Sequence, residues 1–151
     1  MRYTSVAAAA ALTLLTITTS LHGQRPDDQL DPRSMALLAK GQAARASGNL
    51  DAATDALETA LAVDPRNRRA FVVLGDVSAA RGLPGTAIRL YREALVLEPN
   101  DVIALKGQGE ALVAKGAVQR AKENLAKIRS LCVKSGCTEA TELAAVIAKG
   151  P

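Results

Sequence analysis

Few side chains in this 151-residue chain could do chemistry, and the most suggestive are Cys132 and Cys137, its only cysteines, in the run CVKSGC. Two thiols this close could form a disulfide, work as a redox dithiol or contribute to a metal site. A metal site needs more than two protein ligands, and the lone histidine, His22, falls in a segment that export is expected to remove. A catalytic dithiol usually has two intervening residues and a depressed thiolate pKa, so the four residues here disfavour redox catalysis. Asp51, Asp55 and Glu58 can share one face of a helix and are the candidate for paired-carboxylate acid and base work. Acidic residues at a helix start are also the natural partners of its dipole, and without a pocket they make a poor catalytic site.

The export reading rests on the first residues. Arg2 is the only charge before Arg25, and an unbroken apolar and small stretch from Val6 to Ile17 leads into Thr18, Thr19 and Ser20. A basic start, a short apolar middle and small residues before a polar segment read as a secretory signal peptide over residues 1–23. The apolar run falls short of the ~20 residues a membrane-crossing helix needs. A short buried or interfacial helix is the alternative. Cleavage is expected after Ser20 or Gly23, and no Cys lies near to accept a lipid. A cut after Gly23 lowers the net charge from +4 to +3 by removing Arg2 from the 19 basic residues against 15 acidic ones. It also leaves no His, which rules out His-dependent nucleophilic sites and His general bases. The product is expected to be periplasmic or secreted, without stable membrane insertion. In that compartment the cysteine pair reads first as a disulfide.

Composition points to helices. Apolar residues make up 48% of the chain and aromatic residues only 2%, so Ala, Leu, Val and Ile must build the core. Residues 24–33 (QRPDDQLDPR) hold two Pro, three Asp and one large apolar residue, and read as a disordered linker.

Beyond them a period of 34 residues emerges, first in Pro65 and Pro99. Leu37, Phe71 and Leu105 keep the step, as do Gly41, Gly75 and Gly109. So do Gly48, Gly82 and Gly116, then Ala53, Ala87 and Ala121, and then Leu57, Tyr91 and Leu125. Units are expected at 34–67, 68–101 and 102–135. Each divides into two helices at its second glycine, which supplies the left-handed C-cap, while Pro84 suits a first helical turn. Asp64-Pro65 and Glu98-Pro99 end the second helices. Gly41, Gly75 and Gly109 are expected to meet Ala53, Ala87 and Ala121 at close approach. Val at Gly75 or Leu at Ala87 would then overpack the hairpin by about 1 to 3 kcal/mol. Residues 136–151 read as a capping helix from about Thr138 to Lys149, with Ala140, Leu143, Val146 and Ile147 turned inward.

The pattern resembles the tetratricopeptide repeat. The second unit fits best, with Phe71, Leu74-Gly75, Ala87, Tyr91, Ala94 and Pro99. The first has Lys40 before its glycine and Ala44 at the large position, and the third has Ile128 for an Ala and Val133 for the Pro. The resemblance implies an all-α solenoid of three helical hairpins plus the capping helix, with a concave groove lined by the first helix of each unit. Carried onto this chain, the groove positions include Met35, Leu38, Gln42 and Arg45, then Arg69, Val72 and Asp76, then Ile103, Lys106, Glu110 and Val113. Small exported tetratricopeptide-like proteins of Gram-negative bacteria that end in a two-Cys hairpin are also similar.

These positions suit an extended or helical peptide better than a small metabolite. A subclass of the family clamps a C-terminal carboxylate with Lys, Asn and Arg side chains, but Leu38, Gln42, Val72, Asp76 and Glu110 do not supply that set. Arg66, Arg68 and Arg69 crowd a helix start, where the dipole disfavours cations, so Arg69 could face an acidic segment of a partner. Solvated side chains are the plainer explanation. Nucleic acid is disfavoured because basic and acidic residues alternate and Phe71 and Tyr91 serve the core. The expectation is a non-enzymatic scaffold or assembly adaptor without cofactor, binding another protein in the bacterial envelope. A thiol-disulfide protein using Cys132 and Cys137 is the alternative, and homo-oligomerisation through the repeats is a third reading.

Overall fold

The computed structural model describes residues 29–132 and 137–150. The expected signal peptide, the first part of the expected linker and Val133 lie outside them. The described chain forms α1 Pro32–Ala46, α2 Leu50–Val63, α3 Arg68–Ala80, α4 Pro84–Leu97, α5 Val102–Ala114, α6 Val118–Leu131 and α7 Thr138–Lys149. There is no strand among the described residues. Successive helices pair as hairpins, α1 with α2, α3 with α4 and α5 with α6. The hairpins stack, α2 on α3 and α4 on α5, and α7 covers α5 and α6. The result is an all-α repeat solenoid.

Local chemistry sets the helix ends. Asp31, Asn49, Asn67 and Asp101 precede α1, α2, α3 and α5, and each side chain accepts from a backbone N–H of the first turn. Gly48, Gly82 and Gly116 take φ of +77°, +71° and +75° between paired helices, a conformation that costs a side chain about 1 to 2 kcal/mol. Pro84 sits in the first turn of α4.

Two expectations need correction. The linker does not extend to Arg33, because Asp31 is buried, caps α1, and donates its backbone N–H to Asp64 Oδ2 at 2.8 Å. One apolar residue was too few to order the segment by hydrophobic burial, but a helix cap and a carboxylate across the unit boundary order its end. The glycine column also meets different neighbours. A methyl group at Gly41 would collide with Leu57, at Gly75 with Tyr91, and at Gly109 with Leu143. The large residue facing each glycine sets the close approach. Ala53, Ala87 and Ala121 are fully buried in the hairpins.

The core runs along the array. Leu57, Ala60, Leu74 and Val77 form its first part; Ala87, Tyr91 and Ala94 continue it; Leu105, Leu125, Ile128 and Leu143 close it. Leu143 is fully buried, and Ala140 and Ile147 pack beside it. Burying a leucine contributes about 1.5 to 3 kcal/mol, so α7 is held by its own apolar stripe.

The unit junctions carry a polar pair in fixed columns. At the first, buried Asn67 Nδ2 donates to Ser34 Oγ at 2.8 Å, and Ser34 Oγ donates to Ala60 O at 2.8 Å. One repeat later the same columns hold Asp101 and Arg68, and they form an ion pair. Asp101 Oδ1 accepts from the first turn of α5, whereas Oδ2 has no conventional hydrogen bond, so Arg68 is what meets that buried oxygen. Arg68 therefore serves the second junction, in the place of a neutral serine at the first.

Candidate functional groove

The first helices of the units, α1, α3 and α5, lie side by side. Their shared face opens a cleft of about 250 Å³ lined by Gln42, Arg45, Arg68, Arg69, Val72, Val73, Asp76, Asp101 and Ile103. Six residues expected in the groove thus line one space: Gln42, Arg45, Arg69, Val72, Asp76 and Ile103. Val72 is buried and forms floor. Two others are misplaced by the expectation. Leu38 packs in the first core cluster and Val113 with Leu112 and Ala121, leaving 3% and 1% of each exposed. Both are large apolar side chains beside a partner helix, where burial outweighs exposure to a groove.

Asp76 is the hub of the cleft. It accepts a 2.7 Å hydrogen bond from the Tyr91 hydroxyl and lies 3.3 Å from the Arg45 guanidinium. Burial, then the neighbouring Asp76 charge and its hydrogen bond, push the Tyr91 phenol well above its ordinary range. It stays a neutral donor. The sequence placed Tyr91 only in the core; its ring is there, but its hydroxyl reaches the groove.

Further along, Lys106 is held by carboxylates from two helices. Its ammonium lies 2.6 Å from Glu142 on α7 and 3.9 Å from Glu110 one turn along α5. Burial works against the Lys106 charge, but Glu142 and Glu110 outweigh it and raise the pKa. Burial raises the Glu110 pKa, as do the charges of Glu142 and Asp76, against the opposing pull of Lys106. Glu142 is exposed on α7 and turns its carboxylate to Lys106. Nothing in the repeat columns marks it, because α7 falls outside the three matched units.

A family model described as Tetratricopeptide repeat matches residues 38–101 and 79–125. This chain belongs to the tetratricopeptide repeat family. Among solved structures, the tetratricopeptide fold of the first such domain of Spaghetti (RPAP3), bound to the HSP90 peptide SRMEEVD, is similar. It has 20% identity and a TM-score of 0.73, over 80% of this chain and 97% of that one. The Sgt2 tetratricopeptide domain from Aspergillus fumigatus is similar at 22% identity and a TM-score of 0.73, over 80% of each chain. An O-GlcNAc transferase of Thermobaculum terrenum shares 30% identity at a TM-score of 0.63, over 68% of this chain but 20% of that one. Comparison with curated proteins found no match.

Within this tetratricopeptide array the other chemistry-bearing residues are dispersed. Asp51 is exposed at the start of α2 and pairs with Arg81 at the end of α3, while Asp55 and Glu58 are exposed along the helix. No group of three or more His, Cys, Asp or Glu among the described residues could hold a metal ion. No helix among them is long and apolar enough to cross a membrane. Cys132 and Cys137 stand at disulfide distance with Cα atoms 5.8 Å apart. Both pack against the core cluster that contains Leu143.

Proposed function

We propose that the chain is an exported, non-enzymatic interaction module of the bacterial envelope, a scaffold or assembly adaptor that holds a peptide segment of a partner protein in its groove. The observation that carries this reading is the cleft across α1, α3 and α5, whose walls bring Arg45, Arg69, Gln42 and Asp76 to one apolar floor. Such a mixture suits an extended chain, which offers backbone polar groups and alternating side chains. The peptide seen in the Spaghetti domain is a precedent for the fold. The export part rests on residues 1–23, and a fractionated Gram-negative host should yield a periplasmic chain beginning near Leu21 or Gln24. Intact Met1 in the cytoplasmic fraction would remove it.

A photo-reactive residue at Gln42, Asp76 or Lys106 tests the groove. Each should cross-link the same partner segment, and the same residue at Glu58 or Glu123 on other faces should not. Capture from Glu58 and Glu123 alone would move the interface away from the cleft.

The cysteine positions favour a structural staple at the corner between α6 and α7, worth roughly 2 kcal/mol for so short a loop. Replacing both by Ser separates staple from redox function. A staple predicts lower stability with binding retained, and a thiol-disulfide function predicts the fold kept with activity lost.

A further inference from the structure

Three arginines gather at the junction of the first two units, and two of them are already satisfied. Arg66 meets Asp64 at 3.1 Å and Arg68 meets Asp101. Arg69 has no ion-pair partner among the described residues and stands exposed at the rim of the cleft. The two carboxylates that line the cleft are committed, Asp76 to Arg45 and Tyr91 and Asp101 to Arg68. A fixed counter-charge for Arg69 would come from outside the described residues.

Its neighbours are equally telling. One repeat to either side, the same column holds Met35 on α1 and Ile103 on α5. Both are large apolar side chains left in water, 44% and 52% exposed. The row Met35, Arg69, Ile103 differs from the rows that a carboxylate clamp would use, where this chain has Leu38, Val72 and Lys106. It presents one free cation between two apolar contacts, each on a separate helix.

Helix spacing fixes what can touch all three. Packed helices lie roughly 10 Å apart. A polyproline II segment turns once every three residues with a rise of 3.1 Å, so every third side chain faces the same way about 9 Å further on. A β-strand repeats every second residue, so a three-residue step would turn the middle side chain away from the groove. Building on the groove reading above, we propose that the partner segment is an extended polyproline II stretch of the form apolar-x-x-Asp/Glu-x-x-apolar. Its carboxylate meets Arg69, and its apolar residues cover Met35 and Ile103.

The test uses fluorescein-labelled synthetic peptides with the core Leu-Pro-Pro-Glu-Pro-Pro-Leu and the full chain. One comparison peptide has Lys for the Glu, and another has an extra Pro between the Glu and the last Leu. At low salt the Glu peptide should bind about tenfold tighter than either, measured by anisotropy. Arg69→Glu should invert the preference between Glu and Lys, and Met35→Ser with Ile103→Ser should weaken the Glu peptide. All these positions are exposed, and circular dichroism melts check that the variants stay folded. Equal binding of the Glu and Lys peptides, no binding of the Glu peptide, or a preference unchanged by Arg69→Glu overturns the proposal. So does a dimer in sedimentation that Arg69→Glu dissolves, since a second copy would then be the occupant. Panning a random peptide library separates this outcome from failure of the groove reading. Peptides lost on Gln42→Trp but indifferent to Arg69→Glu overturn only the sequence pattern. A library yielding no peptide sensitive to either change overturns both.

Discussion

The Tyr91 ring fills the place where a side chain at Gly107 would stand: a methyl group there would come within 2.5 Å of Cζ. A methyl group at Gly75, in the same unit as Tyr91, would come within 2.8 Å of Cε1 of the same ring. One aromatic residue is thus enclosed by two glycines on successive first helices, and its hydroxyl goes on to Asp76.

Gly107→Ala should therefore destabilise the chain by about 1 to 3 kcal/mol, because a buried ring has nowhere to move. Gly85→Ala is the control. Nothing lies within 4 Å of a methyl group at Gly85, so it should stabilise by about 0.4 to 1 kcal/mol through the unfolded chain. Urea denaturation of both variants measures the difference, and equal behaviour would show that the ring is free to yield.

Acid should loosen the first junction. The Arg66 side chain, then the Asp31 backbone N–H, hold the Asp64 carboxyl at about 2 against an ordinary 3.8. Its folded pKa lies below the unfolded one, so its contribution is complete above about pH 4 and is lost as pH falls towards 2. Stability against pH, measured for wild type and Asp64→Asn, should fall more steeply for wild type in that window. Parallel curves would remove Asp64 from the account.

Glu110 has the opposite sign. Its pKa is raised by burial and by Glu142 and Asp76, so the folded state binds its proton more tightly than the unfolded chain does. Its contribution to stability declines as pH rises from 4.5 through the folded pKa. Glu110→Gln should gain on wild type over that rise. A stability difference independent of pH would show that Lys106 fully compensates the carboxylate.

Leu143→Ala should cost about 2 to 5 kcal/mol, since Leu143 is fully buried and occupies the space in front of Gly109. Amide hydrogen exchange should rise first in α7, a terminal element with few other anchors. Unchanged protection across Thr138–Lys149 would mean that Lys106, Glu142 and the cysteine pair hold the helix without it.

The architecture was readable because its punctuation is local. Gly48, Gly82 and Gly116 mark turns whatever packs around them, and Pro84 and the Ala columns need only the period. Contacts between units were not readable in the same way. That Gly109 faces Leu143, that Asp31 belongs to the first unit, and that Arg68 repeats the place of Ser34 all depend on residues distant in sequence. In the groove, the period located the face on which Gln42, Arg45, Arg69 and Asp76 meet. It could not tell Leu38 and Val113 from their exposed neighbours, because a helical stripe gives angle and not depth. Glu142 carried no sequence sign at all.

The enclosure of Tyr91 also makes the units non-interchangeable. One repeat earlier, the columns of Tyr91 and Gly107 hold Leu57 and Val73, which share a core cluster. The larger ring is matched by loss of a side chain opposite it, so the two boundaries distribute their bulk differently. Exchanging the first and second units would set the ring against Ala39 and leave Leu57 facing Gly107, and duplicating the second would set the ring against the Val73 methyls at its new boundary. The order of the hairpins is thus written into the fit between neighbours, and an array of this kind can lengthen only where both sides of a boundary change together.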